Sequence, residues 1–96
     1  MEKGGHVYIL TNKNNTVLYV GVSSKLEQRL LQHRSGKFEN SFTSRYNVSK
    51  LVYYEEFSSI EDAIQREKQL KAGSRQKKID LIEKSNPEWK ELYQSN

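Results

Sequence analysis

The sequence predicts an α+β domain, a small antiparallel sheet of about three strands flanked by helices in the order ββαβααα. Three observations carry this. Two runs rich in β-branched and aromatic residues stand near the N-terminus with only a turn between them. A third such run follows near mid-chain. The remainder alternates helix-capping signals with apolar residues at helical spacing.

His6 to Thr11 reads as the first strand and Thr16 to Val22 as the second. The Asn12-Lys13-Asn14-Asn15 turn between them is short, which favours an antiparallel hairpin. Ser24-Lys25-Leu26-Glu27 matches a capping box, so a helix should run from about Lys25 to Arg34 and stop near Gly36. Lys37 to Tyr46 lacks a period and reads as a loop, and Val48 to Phe57 as the third strand. Ser58-Ser59-Ile60-Glu61 is a second capping box, opening a helix from about Ile60 to Ala72 that Gly73 ends. Ser74 caps a third helix to about Lys84, carrying Ile79, Leu81 and Ile82. Asn86-Pro87 predicts a short last helix with Trp89, Leu92 and Tyr93 on one face.

With 96 residues there is room for one domain, spanning 1–96 with a core over about 5–89. No Cys is present, which excludes disulfides, thiolate zinc sites and Cys nucleophiles. His6 and His33 are the only imidazoles, too few for an all-His metal cage. No apolar run has the length of a membrane span and no signal-peptide core is visible, so a soluble cytoplasmic protein is expected. The net charge is +4, unevenly spread: Arg66, Lys68, Lys71, Arg75, Lys77 and Lys78 cluster against the single acid Glu67. Such a cluster suits a phosphate backbone, and equally suits a solvated helix surface.

Polar groups on apolar faces mark candidate sites. Leu26 and Leu30 set the inner stripe of the first helix, and Arg29 and His33 fall along its edge. Arg29 either serves a site beside the core or packs its stem and lifts its head into water. On the next helix Ile60, Ala63 and Ile64 set the inner face, which places Glu67 between apolar neighbours. A carboxylate there must be paired, metal-bound or at a cleft edge, and Arg29 is a candidate ion-pair partner.

Taken together these residues resemble the GIY-YIG nuclease family. His6-Val7-Tyr8 and Tyr19-Val20-Gly21 stand where that family has its two name-giving tripeptides on adjacent strands. Arg29 lies ten residues after Tyr19, His33 four further on, Glu67 on the next long helix, and Asn86 near the domain's end. The resemblance covers roughly Gly5 to Trp89 and is similar to small stand-alone bacterial members. His6 replaces the first Gly, and Val7 and Val20 replace Ile.

The resemblance implies a GIY-YIG fold and a metal-dependent endonuclease, with DNA as substrate and a link to DNA repair or recombination. It implies Tyr8 as general base, Tyr19 holding the nucleophile or phosphate, Arg29 on the phosphate oxygens, His33 relaying a proton or orienting Tyr8, and Glu67 holding one Mg²⁺ or Mn²⁺. Gly21 and Asn86 would support the site. A tyrosine near pKa 10 is a poor base at neutral pH, so Arg29, the metal and the helix start near Ser24 should lower it. His6, on the same strand face as Tyr8, is an alternative base. Arg66, Lys68, Lys71, Arg75, Lys77 and Lys78 would track the nucleic-acid backbone. Two other readings stand beside this one. One is a nucleic-acid-binding module of the same fold with little activity. The other is a protein-interaction domain using Trp89, Leu92, Tyr93 and the Tyr53-Tyr54 pair.

Overall fold

The computed structural model describes residues 4–34 and 46–93. Strands β1 (Gly5–Thr11) and β2 (Leu18–Ser23) form the expected hairpin, followed by helix α1 (Leu26–Arg34). Strand β3 (Lys50–Phe57) and helices α2 (Ile60–Ala72) and α3 (Arg75–Ser85) complete the described elements. The sheet is antiparallel with β1 in the centre, in the order β2-β1-β3. The α+β class and the three-stranded antiparallel sheet are therefore as the sequence predicts. The predicted helix stop at Gly36 and most of the Lys37–Tyr46 loop lie outside the described residues.

Local chemistry accounts for the ends of the elements. Asn12 closes the hairpin turn: its Oδ1 accepts from Thr16 N at 2.7 Å and Val17 N at 3.1 Å. Asn15, at φ 59°, takes the left-handed conformation that Asn tolerates. At α1 the Ser23 hydroxyl, rather than Ser24, accepts from Lys25 N at 2.9 Å. At α2 the cap is Ser59, bonded to Asp62 N at 3.2 Å, one residue later than the box read from Ser58 and Glu61. Ser74 caps α3 as expected, accepting from Lys77 N at 3.1 Å. Gly73 ends α2 in extended backbone while its N–H reaches Gln69 O and Leu70 O.

Period-two alternation along β1 sends residues to two separate apolar clusters. Val7 and Ile9 pack with Val20, Val52, Ala63, Leu70 and Ile82 on the side of α2 and α3. Tyr8 and Leu10 pack with Leu30, Val48 and Leu51 on the side of α1. A bulge in the β1–β3 ladder keeps both sets in place. Ile9 pairs with Tyr53 and Leu10 with Leu51, so Val52 is the extra residue. Gly5 lets α2 press on the sheet, since a Cβ there would stand 2.7 Å from Ile60 Cδ1. Ile64, expected on the inner face of α2, is exposed instead. Ala63 and Leu70 carry that face.

The chain after α3 differs from the expected short helix. Pro87 and Glu88 form a turn, and residues 89–93 have no regular structure. Asn86 is the cause. Its buried side chain donates to Val52 O at 3.1 Å and Lys90 O at 2.9 Å, and accepts from Lys90 N at 3.0 Å. Those bonds occupy backbone groups that a helix would use. Trp89 turns out at φ 57° and packs against the first cluster, while Tyr93 packs against the second. The three apolar residues of this tail thus do not share a face. The tail is fastened further by Leu92 N donating to Leu51 O at 2.8 Å, and by Glu91, whose carboxylate takes Leu51 N at 2.8 Å and Arg34 Nη2 at 2.6 Å.

Candidate active site

Tyr8 sits in the middle of the central strand, and only 1% of its surface is exposed. Its phenol lies over the β2 backbone at Gly21, its partner in the ladder. A Cβ on Gly21 would fall 2.5 Å from both Tyr8 Cζ and the phenol oxygen, so no other residue fits there without moving the ring. The glycine of the second tripeptide is therefore a packing requirement for the tyrosine of the first.

Helix α1 brings His33 to the same place. Tyr8 Oη and His33 Nε2 are 3.4 Å apart. Tyr19 closes the group: its ring centroid is 5.8 Å from that of His33 and 6.4 Å from that of Tyr8. The Tyr8 and His33 rings meet edge-on at 6.3 Å. Alternation places Tyr8 and Tyr19 on one sheet face, and four-residue spacing places Arg29 and His33 on one helix face.

Charge and burial set the protonation of this group. Burial pushes the Tyr8 phenol well above the usual tyrosine range, with Tyr19 and Glu67 adding to the rise and Arg29 opposing it. Arg29 does lower Tyr8 as expected, but burial outweighs it. His33 moves down, first through burial and then through the Arg29 charge. Both shifts favour the uncharged forms, a protonated phenol beside a neutral imidazole.

Glu67 projects from α2, which lies against β1 and β2. Its side chain is 14% exposed and pairs with Lys71 Nζ at 2.8 Å, one helical turn on. The i, i+4 spacing already carried that signal in the sequence. Among the described residues no three His, Cys, Asp or Glu side chains converge. The donor chemistry fits a hard divalent ion held by one carboxylate, with water and substrate oxygens completing the shell. Ser23, Ser24, Lys25, Gln28, Arg29 and Gln32 line a recess of about 160 Å³ at the start of α1. Nothing in the sequence pattern marks Gln32, a polar residue on a polar stretch of helix.

Other candidates sit elsewhere. His6 shares the Tyr8 face, but its ring faces Tyr54 at 6.1 Å and its Nε2 lies 3.9 Å from Glu56 Oε2. The basic cluster is only partly free. Arg66 is bound by the Glu55 carboxylate through Nε and Nη2, both at 3.1 Å at their shortest. Arg75 Nη2 donates to Thr16 O at 2.8 Å, Lys78 Nζ to Gly73 O at 2.9 Å, and Lys71 to Glu67. Lys68 and Lys77 are exposed on the surface. Asn86 lies at the junction of α3, β3 and the tail, and its hydrogen bonds there are structural.

Residues 4–80 match the model of the GIY-YIG catalytic domain. A UPF0213 protein of Syntrophus aciditrophicus is 41% identical over 83 residues, covering 86% of this chain and 93% of the relative. A UPF0213 protein of Staphylococcus haemolyticus is 41% identical over 78 residues, covering 81% and 93%. The solution NMR structure of a UPF0213 protein from Bacillus halodurans superposes with a TM-score of 0.57 at 30% identity, covering 92% of each chain. With its paired tyrosines, the glycine beneath them and the matched length of the domain, the chain belongs to the GIY-YIG nuclease family.

Proposed function

We propose that this protein is a metal-dependent endonuclease that hydrolyses phosphodiester bonds of DNA, selects substrates by structure rather than sequence, and serves DNA repair or recombination in the cytoplasm. The observation that carries the reading is the pairing of buried Tyr8 with half-buried His33, with Tyr19 beside it and the charges of Arg29 and Glu67 acting on the phenol.

In this reading a water attacks phosphorus as its proton passes to the Tyr8 oxygen and the Tyr8 proton to His33 Nε2, while the P–O bond to the leaving strand breaks and its oxygen takes a proton from solvent. The relay lets a buried phenol act as base without first becoming a free phenolate. The 3.4 Å separation is long for proton transfer, as is common before substrate tightens a site. Tyr19 holds the attacking water or a phosphate oxygen. The Arg29 guanidinium binds the phosphate oxygens as charge builds on them. Glu67 would hold a single Mg²⁺ or Mn²⁺, which when bound would polarise the phosphate, steady the leaving oxygen and offset the carboxylate's upward pull on Tyr8. Lys71 would release Glu67 to make this possible. Lys68 and Lys77, exposed on α2 and α3, guide the DNA backbone.

The Glu67–Lys71 ion pair favours a second reading, a binding module in which Lys71 keeps the carboxylate occupied. Labelled linear, flapped, four-way and single-stranded DNAs, incubated with Mg²⁺ or Mn²⁺, separate the two. The nuclease reading expects nicking by the native protein, lost in Glu67→Ala and reduced by ~10²–10³ in Arg29→Ala. Tight, salt-sensitive binding without cutting selects the binding module.

A further inference from the structure

A larger cleft of about 690 Å³ opens on the Tyr8 side of the sheet, between α1, β1, β3 and the tail. Its size falls in the roughly 300–1,000 Å³ range of small-molecule sites. Lys25 and Gln28 line both this cleft and the recess that holds Arg29, so the two share a wall. Leu92 and Tyr93 form part of another wall, fixed by the bonds of Glu91 to Leu51 and Arg34. Besides Tyr93, the rings of Tyr54 and His6 line the space. Tyr54 is 49% exposed, unusual for a tyrosine on a sheet face whose other strands are covered. His6 stands edge-on to it at 6.1 Å, and its Nδ1 is buried without a hydrogen-bond partner among the described residues.

We propose that this cleft seats an unpaired nucleobase of the substrate strand, next to the phosphate held by Arg29. The proposal rests on the nuclease reading above and names the substrate class, a strand with at least one unstacked base. Exposed aromatic faces are what sequence-tolerant single-strand binders use, because every base has a π-face. Tyr54 supplies that face, with the His6 ring edge-on beside it at 6.1 Å. Lys25 at the shared wall suits the backbone between the base and the adjoining phosphate, and among the described residues that line the cleft Glu27 is the one acid. A duplex keeps its bases stacked inside and cannot fill such a cleft without flipping one out.

The test measures binding in EDTA of a labelled short oligothymidylate, the same oligomer with one abasic position moved along it, and a blunt duplex. The proteins are native, Tyr54→Ala and Tyr54→Phe, each checked by thermal melting. The expected result is a Kd about tenfold weaker for the single strand in Tyr54→Ala, with Tyr54→Phe near native and duplex binding changed less than about twofold. One abasic position should weaken the native protein by a similar factor and Tyr54→Ala no further. Equal loss on single strand and duplex, or no loss at all, overturns the proposal. So does a change in the sedimentation of Tyr54→Ala with oligonucleotide affinity intact, which would assign the cleft to a second copy of the chain. If the native protein cuts nothing with metal while the Tyr54 effect persists, the nuclease reading fails and the base seat stands.

Discussion

Gly21 lies directly across the β1–β2 ladder from Tyr8, and the phenol occupies the space where any Gly21 side chain would begin. Gly21→Ala should therefore force the ring out of its rotamer or push the strands apart, at about 1–3 kcal/mol. Urea unfolding of Gly21→Ala, Tyr8→Ala and the double variant measures this. The two changes should be strongly non-additive, with the alanine costing little once the ring is gone. Additive costs would mean that the strain lies elsewhere.

Asn86 stitches three backbone groups, Val52 O, Lys90 O and Lys90 N. Asn86→Ala strands them and should cost about 1–3 kcal/mol for the buried carbonyl alone. Hydrogen exchange at the Lys90 amide should accelerate well before global unfolding. Catalysis by the fraction still folded should be nearly unchanged, since no bond of Asn86 reaches Tyr8, His33 or Glu67 among the described residues.

The titrations give stability a defined pH dependence. The folded pKa of His33 lies below its ordinary 6.5, so the unfolded chain binds more protons as pH falls through that value. Its contribution is present above about 6.5 and is lost as pH drops toward the folded pKa. Tyr8 and Tyr53 shift the other way, Tyr53 to about 12 through burial and its bond to Glu55. The unfolded phenols ionise near pH 10 and the folded ones later, so stability should fall as pH rises from 10. Denaturation midpoints across pH check both limbs: His33→Gln should flatten the acid one, and Tyr8→Phe should weaken the alkaline one. Cleavage should also decline on the acid side as His33 gains its proton.

The basic segment should divide in two under salt. Lys68→Ala and Lys77→Ala should each reduce the slope of log K against log salt by about 0.9, the share of one phosphate contact. Arg66→Ala should leave that slope alone and instead lower the melting temperature, because its guanidinium is already held by Glu55. Filter-binding titrations over a salt series, paired with melting curves, give both quantities.

The hairpin that carries Tyr8 and Tyr19 was legible from short-range pattern, because a brief turn between two β-branched runs favours antiparallel pairing. Helical spacing likewise set Arg29 and His33 along one edge of their helix. What the sequence left open depends on how elements cross. Arg66 reads as a free cation until α2 is laid over β3 and Glu55 appears beneath it. The bulge at Val52 leaves no local signature, yet it sets which β3 side chains accompany Tyr8. The final segment carried a valid helix-start signal at Pro87, and long-range bonds from Asn86 overrode it.

The Asn12 turn also bears on the order in which the molecule assembles. Its side chain binds Thr16 N, Val17 N and the Thr16 hydroxyl, all within five residues. Such a hairpin closes on the order of microseconds, whereas pairing β1 with β3 must first close a loop several times longer. The alignment of Tyr8 over Gly21 would then be settled early, before any helix docks. A φ-value near one for Asn12→Ala, against low values along β3, would carry that sequence of events. The nascent chain would hold the geometry of its two tyrosines before it has made the helix that brings Glu67.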